Sequence, residues 1–197
     1  MNITTYSASS GQVPAVYLDA AKRLGQLIAQ DGHTLINGAG RIGLMGALID
    51  AVMAEGGRTV GVIPEFMIAH GWQHEGMTEL IVTKDMHERK ERMAALGDAC
   101  ITLPGGIGTL EELLEVVTWK QLGLYDKPIV ILNINGYFDA LLSQLETAID
   151  EHFMRPMHRA LWSVAKTPEE ALEQAKTTPR WDTSLSKYAA IDQTKHG

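Results

Sequence analysis

The sequence predicts an α/β protein with a doubly wound, mostly parallel sheet and helices on both faces, and three observations carry that reading. Short apolar runs alternate with longer segments of helical periodicity from one end of the chain to the other. Strands separated in this way pair in parallel, because each return crossover is a helix that covers a face of the sheet. Two glycine turns, Gly38-Ala39-Gly40-Arg41-Ile42-Gly43 and Pro104-Gly105-Gly106-Ile107-Gly108, each stand between a strand-like run and a helix-like one. The arrangement is Rossmann-like, and ligands in such folds bind beyond the carboxyl ends of the strands, where both turns would lie.

The elements follow in order. Residues 3–7 read as a strand, and residues 15–30 as a helix with Leu18, Ala21, Leu24 and Ile28 on one face. Residues 34–37 form the next strand, after which the first glycine turn opens a helix over residues 44–55. Residues 59–63, 80–83, 99–103 and 129–133 continue the strands, with helices over 86–96, 109–122 and 138–151 between them. Beyond Pro156, a short strand at 162–165 and a helix at 168–175 close the fold. Residues 1–177 are expected to form a single domain. Residues 178–197, polar and aperiodic, are expected to be mobile or to lie over a partner.

Composition excludes several functions. With 24 acidic and 17 basic residues the formal net charge is −7, which disfavours a nucleic acid polymer as partner. The single cysteine, Cys100, lies in an apolar run, so no disulfide forms within the chain and a reduced, cytoplasmic setting fits. Met1-Asn2-Ile3-Thr4-Thr5 lacks the pattern of a signal peptide. The most apolar later stretch, residues 44–52, is interrupted by Asp50 and too short for a bilayer, so no membrane association is expected. No cysteine and histidine cluster has metal-ligand spacing; His70 and His74 read as loop residues.

The chemistry concentrates in Pro104-Gly105-Gly106-Ile107-Gly108-Thr109-Leu110-Glu111-Glu112. Glycines let the backbone approach a ligand, and the first N–H groups of the following helix are free to meet an anion, so the run reads as a phosphate cradle with a carboxylate attached. Thr109-x-x-Glu112 is also a capping box, which leaves Glu112 two roles; Thr167-Pro168-Glu169-Glu170 repeats that pattern as a cap alone. On the preceding helix Arg89 is three after Met86 and four before Met93, on the inward stripe, where a guanidinium requires an anion or acceptor. Lys90 flanks the stripe within reach of a phosphate. Glu112, Glu115 and Trp119 are expected away from the stripe of Leu110, Leu113, Leu114 and Val117, so that one face of this helix packs on the sheet and the other on a second subunit. Gly38-x-Gly40-x-x-Gly43, with Glu65 further on, matches a dinucleotide fingerprint. Answered by a second glycine loop, it points to a nucleotide phosphate or ribose rather than to a complete NAD.

Taken together, the 104–112 run and Met86-His87-Glu88-Arg89-Lys90 resemble the signatures of the Lonely Guy (LOG) family, the cytokinin riboside 5′-monophosphate phosphoribohydrolases. The likeness extends through Gly43-Leu44-Met45-Gly46, Thr118-Trp119-x-Gln121-Leu122-Gly123 and Asp126-Lys127-Pro128. It implies hydrolysis of the N-glycosidic bond of a purine nucleoside 5′-monophosphate, AMP or a cytokinin-type ribotide, to free base and ribose 5-phosphate. It places the catalytic arginine on Arg89 and the catalytic glutamate on Glu112, with ligand contacts on Lys90, on Gly106, Ile107, Gly108 and Thr109, and on Thr118. Gly105, Gly43 and Met86 belong to the same matched motifs and complete the substrate-binding set. The resemblance implies a homodimer, and the hydrolytic scheme calls for no cofactor and no metal.

The chain departs from the family pattern in three places. Tyr6-Ser7-Ala8-Ser9-Ser10 stands where relatives commonly have Cys-Gly-Ser-Ser, Ala39 and Arg41 replace a glycine and a small residue, and His70-Gly71 occupies the place of an Arg-Glu pair. The missing glutamate, which contacts substrate in relatives, bears on base or ribose preference more than on the reaction. The alternative reading is a nucleotide-binding module without catalysis.

Overall fold

The structure, a computed structural model, describes residues 1–185. Strands β1 (Asn2–Tyr6), β2 (Thr34–Asn37), β3 (Arg58–Pro64), β4 (Glu79–Thr83), β5 (Ala99–Thr102), β6 (Ile129–Leu132) and β7 (Ser163–Ala165) form one sheet in the order β4-β3-β2-β1-β5-β6-β7. Every pairing is parallel. Helices α1 (Ala15–Gln30), α2 (Gly43–Ala54), α3 (Glu65–Ala69), α4 (Met86–Leu96), α5 (Ile107–Gln121), α6 (Asp139–Asp150) and α7 (Pro168–Thr177) connect the strands. The doubly wound class expected from the alternation of elements is the one observed. Among the described residues, no helix is long and apolar enough to cross a membrane.

The central strands β1, β2, β5 and β6 are short and apolar because both their faces are covered, whereas the edge strand β4 is largely exposed. Ile3, Leu24, Ile28, Leu35, Leu48, Ile49 and Val52 belong to a core beneath α1, α2 and α7. Tyr6, Ile36, Val62, Met93, Cys100, Leu113 and Val116 belong to a second core beneath α4, α5 and α6. Helices α1 and α2 meet closely at Gly25, where a Cβ would stand 2.8 Å from the Ala51 methyl and from the Leu48 carbonyl. Successive strands are added to one side of β1 as far as β4 and then to its other side as β5, β6 and β7. The chain therefore reverses direction between β1 and β5, and a crevice opens at their carboxyl ends. Beyond the ladder, Leu103 N–H donates to the Tyr6 carbonyl at 2.9 Å and Ala8 N–H to the Pro104 carbonyl at 3.1 Å, which joins the two exit loops.

Two elements differ from the sequence reading. Helix α3 follows Pro64 directly; five residues are too few to show a helical period. The chain after α3 folds back so that Arg41 N–H donates to the Trp72 carbonyl at 3.1 Å and His74 N–H to the Ala39 carbonyl at 2.8 Å. The buried side of α5 is also rotated: Glu112, Leu113, Val116, Val117 and Lys120 are buried, whereas Leu110 is half-buried and Leu114 exposed. A polar residue carries no weight in an apolar periodicity, so an inward glutamate and lysine shift the apparent stripe. In the segment beyond α7, Trp181 N–H donates to the Asp126 carbonyl at 2.7 Å and Arg180 pairs with the Asp126 carboxylate at 2.8 Å. Residues 186–197 of the expected tail lie outside the described residues.

Candidate active site

Arg89 and Glu112 come together from different helices. Asp85 caps α4, accepting from Glu88 N–H at 2.9 Å, and this fixes the helix start that turns Arg89 inward. Arg89 is 4% exposed and Glu112 7%. The Arg89 Nη1 donates to Glu112 Oε1 at 2.7 Å and its Nε to the Val62 carbonyl at 3.1 Å. Gly38 supplies the room: its φ is not positive, yet a Cβ there would stand 1.8 Å from Arg89 Nη2. Burial pushes the Glu112 carboxyl above its ordinary range, and the neighbouring Arg89 guanidinium opposes the rise.

Glu112 does not cap its helix. The helix starts at Ile107 with Gly106 as N-cap, three residues earlier than the capping-box pattern implies, so Thr109 is its third residue and Glu112 its sixth. The Thr109 hydroxyl instead packs on Gly105, where a Cβ would meet Oγ1 at 2.1 Å. Thr167, by contrast, accepts from Glu170 N–H at 3.2 Å and is the cap its sequence implies.

The glycine loop is built from tied carbonyls and free N–H groups. Pro104 accepts from Ala8 N–H at 3.1 Å, Gly105 from the Tyr137 hydroxyl at 2.7 Å and Gly106 from Leu110 N–H at 3.0 Å. The N–H groups of Gly105, Gly106, Ile107, Gly108 and Thr109 donate no hydrogen bond among the described residues. Several donors sharing one end of a helix form an anion site by orientation alone. At the end of β1 nearby, the buried Ser7 hydroxyl has no hydrogen-bond partner among the described residues.

On the other side of Arg89 a cleft of about 370 Å³ opens, walled by Ile42, Met45, Ile63, Met67 and Trp72, with Gly38, Gly40, Arg41 and Ser9 completing it. Trp72 is 49% exposed, tilts against the His70 ring at 4.9 Å, and His70 is itself held by a 2.7 Å contact between Nδ1 and the Phe66 carbonyl. The wall formed by Met67 and Trp72 was not legible in the sequence; the one local signal was the apolar triplet Phe66-Met67-Ile68 after Pro64-Glu65.

The remaining candidates are placed differently. Lys90 is buried and turns to α5, where its ammonium meets the carboxylates of Glu111 and Glu115. Burial alone would lower its pKa, but the hydrogen bonds it donates to these two carboxylates prevail and raise it. Thr118 is exposed and its hydroxyl donates to the Leu114 carbonyl of its own helix at 2.7 Å, away from the cleft of a single chain. Met86 opens α4 half-buried, outside the cleft wall. Gly43, with φ +70°, lets the 8–10 loop pass over the start of α2, where a Cβ would come within 2.7 Å of the Ala8 and Ser10 carbonyls. Trp119 is half-buried against the second core. Burial pushes the Cys100 thiol up to about 12, consistent with a small core residue. His74 Nε2 lies 2.9 Å from Asp50.

Comparison with known proteins adds an independent line. Residues 45–175 match the family model described as "Possible lysine decarboxylase". The cytokinin riboside 5′-monophosphate phosphoribohydrolase of Rhodococcoides fascians is 48% identical over 157 residues, covering 79% of each chain. The LOG7 enzyme of that name from Arabidopsis thaliana is 41% identical over 181 residues, 91% of this chain and 83% of that one. The probable enzyme LOGL2 from Oryza sativa subsp. japonica is 40% identical over 186 residues, 94% and 76%. Among solved structures, TM1055 matches with a TM-score of 0.70 at 24% identity, covering 89% of this chain and 98% of that one. The molybdenum cofactor carrier protein of Chlamydomonas reinhardtii matches at 0.66 and 22%, covering 89% and 95%; likenesses at these identities report the fold alone. The chain belongs to the LOG family, whose curated members are cytokinin riboside 5′-monophosphate phosphoribohydrolases.

Proposed function

We propose that the protein hydrolyses the N-glycosidic bond of a purine nucleoside 5′-monophosphate, releasing free base and ribose 5-phosphate. The observation that carries this reading is the buried Arg89–Glu112 pair, set between a row of free N–H groups and an apolar cleft. Five residues separate Glu112 from the start of α5. At 1.5 Å per residue this is about 7 to 8 Å, the scale of the span from a 5′-phosphate to an anomeric carbon. The phosphate lies over the helix start, the ribose against Glu112 and the base in the cleft beyond Arg89.

Cleavage builds positive charge on the sugar as the bond to the base lengthens. The Glu112 carboxylate stabilises that charge and accepts a proton from the attacking water, and a carboxyl with a raised pKa is the stronger base. Arg89 holds Glu112 in place and donates to the substrate, while the phosphate's binding energy fixes the scissile bond over the carboxylate. Gly106 to Thr109 form the cradle. Lys90 braces α4 against α5 through Glu111 and Glu115. The aliphatic and thioether walls of the cleft, with Trp72 at its rim, favour a base carrying an apolar N6 substituent over bare adenine.

The decarboxylase description attached to the family model implies pyridoxal phosphate on a Schiff-base lysine, which must be available as the neutral amine. Lys90, the lysine beside the site, is held as the ammonium by two carboxylates and does not fit that role. Assembly is proposed as a homodimer through the outer face of α5 and the turn after it. Ile107 is 86% exposed there and Leu124 75%, and Leu114 and Thr118 lie on the surface between them. Sedimentation of a dimer supports this assembly; a monomer at micromolar concentration refutes it.

The test of function is chromatographic. AMP and N6-isopentenyl-AMP are incubated with the protein, and the free base is quantified. Glu112→Gln, which keeps the shape and the hydrogen bond from Arg89, is expected to remove at least about 1,000-fold of kcat, as loss of a nucleophile-activating group does, while circular dichroism stays unchanged. Nucleotide binding without base release would establish the non-catalytic reading instead.

A further inference from the structure

The loop after β6 carries more backbone constraint than a connection requires. Asn135 has φ +53° and Gly136 φ +72°, both left-handed. Asn133 ties the turn from two sides: its Oδ1 accepts from Phe138 N–H and its Nδ2 donates to Asp139, each at 2.7 Å. A left-handed asparagine is a local cost that surrounding structure must offset. The outcome of these bonds is the position of one side chain. Tyr137 lies edge-on to Tyr17 at 5.5 Å and to Phe138 at 5.1 Å, and its hydroxyl donates to the Gly105 carbonyl at 2.7 Å.

Gly105 and Gly106 are the least restrained residues of the anion cradle, because they precede the first residue of α5 and carry no Cβ to oppose rotation. A peptide unit is planar and trans, so the carbonyl of Gly105 and the N–H of Gly106 point in opposite directions. Whatever holds the carbonyl also aims the N–H. Rotation of this unit by half a turn would replace a donor in the cradle by a carbonyl oxygen, and a carbonyl dipole repels a phosphate where an N–H attracts it. The other carbonyls of the loop are held by backbone N–H groups, Pro104 by Ala8 and Gly106 by Leu110. Among the described residues, Gly105 is held by a side chain alone.

We propose that Tyr137 is a positioning residue for the phosphate cradle: its hydroxyl latches the Gly105 carbonyl outward and so keeps the Gly106 N–H turned to the 5′-phosphate. The residue touches no reacting atom. Its effect passes through the fraction of molecules whose loop is ready to bind, and apparent affinity falls in proportion to that fraction. The proposal rests on the phosphoribohydrolase reading for the identity of the ligand, and on the loop geometry for the residue.

Tyr137→Phe tests it, because the ring and both edge-on contacts remain while the latch is lost. Loss of one neutral hydrogen bond leads to an expected rise of about 2- to 10-fold in KM for the 5′-monophosphate. The dissociation constant of ribose 5-phosphate, measured by calorimetry, rises by the same factor, and kcat at saturation stays within about 2-fold. A purely structural tyrosine would lower the melting temperature and the active fraction and leave KM unchanged. Unchanged KM and unchanged ribose 5-phosphate binding overturn the proposal. The calorimetric arm separates it from its parent: wild-type protein that binds ribose 5-phosphate but releases no base refutes the hydrolase reading, and weaker binding by Tyr137→Phe still supports the latch. Wild-type protein that binds no ribose 5-phosphate overturns both.

Discussion

Gly38→Ala is the most discriminating perturbation of the Arg89–Glu112 pair, because it alters neither residue. Gly38 does not have a positive φ, so alanine is conformationally admissible there. The added methyl would stand 1.8 Å from Arg89 Nη2 and 3.0 Å from Cζ, against ordinary contact from 3.4 Å upward. The guanidinium must therefore retreat by about 1.6 Å. A displacement of that size cannot keep both the 2.7 Å bond to Glu112 and the 3.1 Å bond to the Val62 carbonyl. Misplacing a catalytic group by about 1 Å costs on the order of 100-fold in rate, so kcat is expected to fall by about 100-fold. Removing one partner of a buried ion pair costs about 3–5 kcal/mol, and displacement short of removal is expected to cost about 1–3 kcal/mol of stability.

Base release gives the rate and urea unfolding gives the stability, each measured for Gly38→Ala, Arg89→Ala and the double variant. With Arg89 truncated, the nearest remaining neighbour of the new methyl is the flexible Met45 thioether, 3.2 Å away. Gly38→Ala should then change stability by less than about 0.5 kcal/mol, a non-additivity characteristic of residues in contact. Activity within 3-fold of wild type in the single variant, or additive losses in the double variant, would refute the argument that Gly38 exists to seat Arg89.

The remaining predictions concern pH and the base. Burial raises the Glu112 pKa above its ordinary 4.5, so the acid limb of kcat/KM should lie above that value, with activity lost as pH falls through it. For stability the sign is opposite. The folded state binds this proton more tightly than the unfolded chain, so the contribution of Glu112 is present at low pH and is lost as pH rises through the raised value. An acid limb at or below the ordinary value, in a pH–rate profile, sinks the assignment. Trp72→Ala should raise KM for N6-isopentenyl-AMP by about 5-fold, the worth of roughly 1 kcal/mol of half-exposed aromatic contact, and leave KM for AMP within about 2-fold. Equal changes for the two substrates would place the N6 substituent outside the cleft.

Much of the fold was legible because its signals are local. Apolar runs between glycine turns located the strands, and the boundaries of α1, α4 and β2 agree with their periodicity. Arg89 was legible for a similar reason: a charged residue on the stripe of Met86 and Met93 stands out against its neighbours. Glu112 was half legible. Its motif named it, but the N-cap three residues upstream, which removes the capping role, depends on the free glycine backbone at Gly106 rather than on side-chain pattern. The inward turn of Glu112 and Lys120 rotated the buried face of α5 from the expected one, since apolar periodicity scores a buried ion as solvent-facing.

By itself the sequence determined the class of fold, the two glycine loops on one edge of the sheet and the residues that hold chemistry on them. Chain order and short-range pattern suffice for these, because helix and strand periods and glycine's conformational freedom act over a few residues. Only the tertiary structure decided what those residues meet. It brought Arg89 of α4 onto Glu112 of α5, set the α carbon of Gly38 against the guanidinium, turned Lys90 to Glu111 and Glu115, and placed Tyr137, 32 residues distant in sequence, on the Gly105 carbonyl. These contacts join residues separated in sequence, and the crossing of helices over the sheet sets their distances. No local period encodes that crossing.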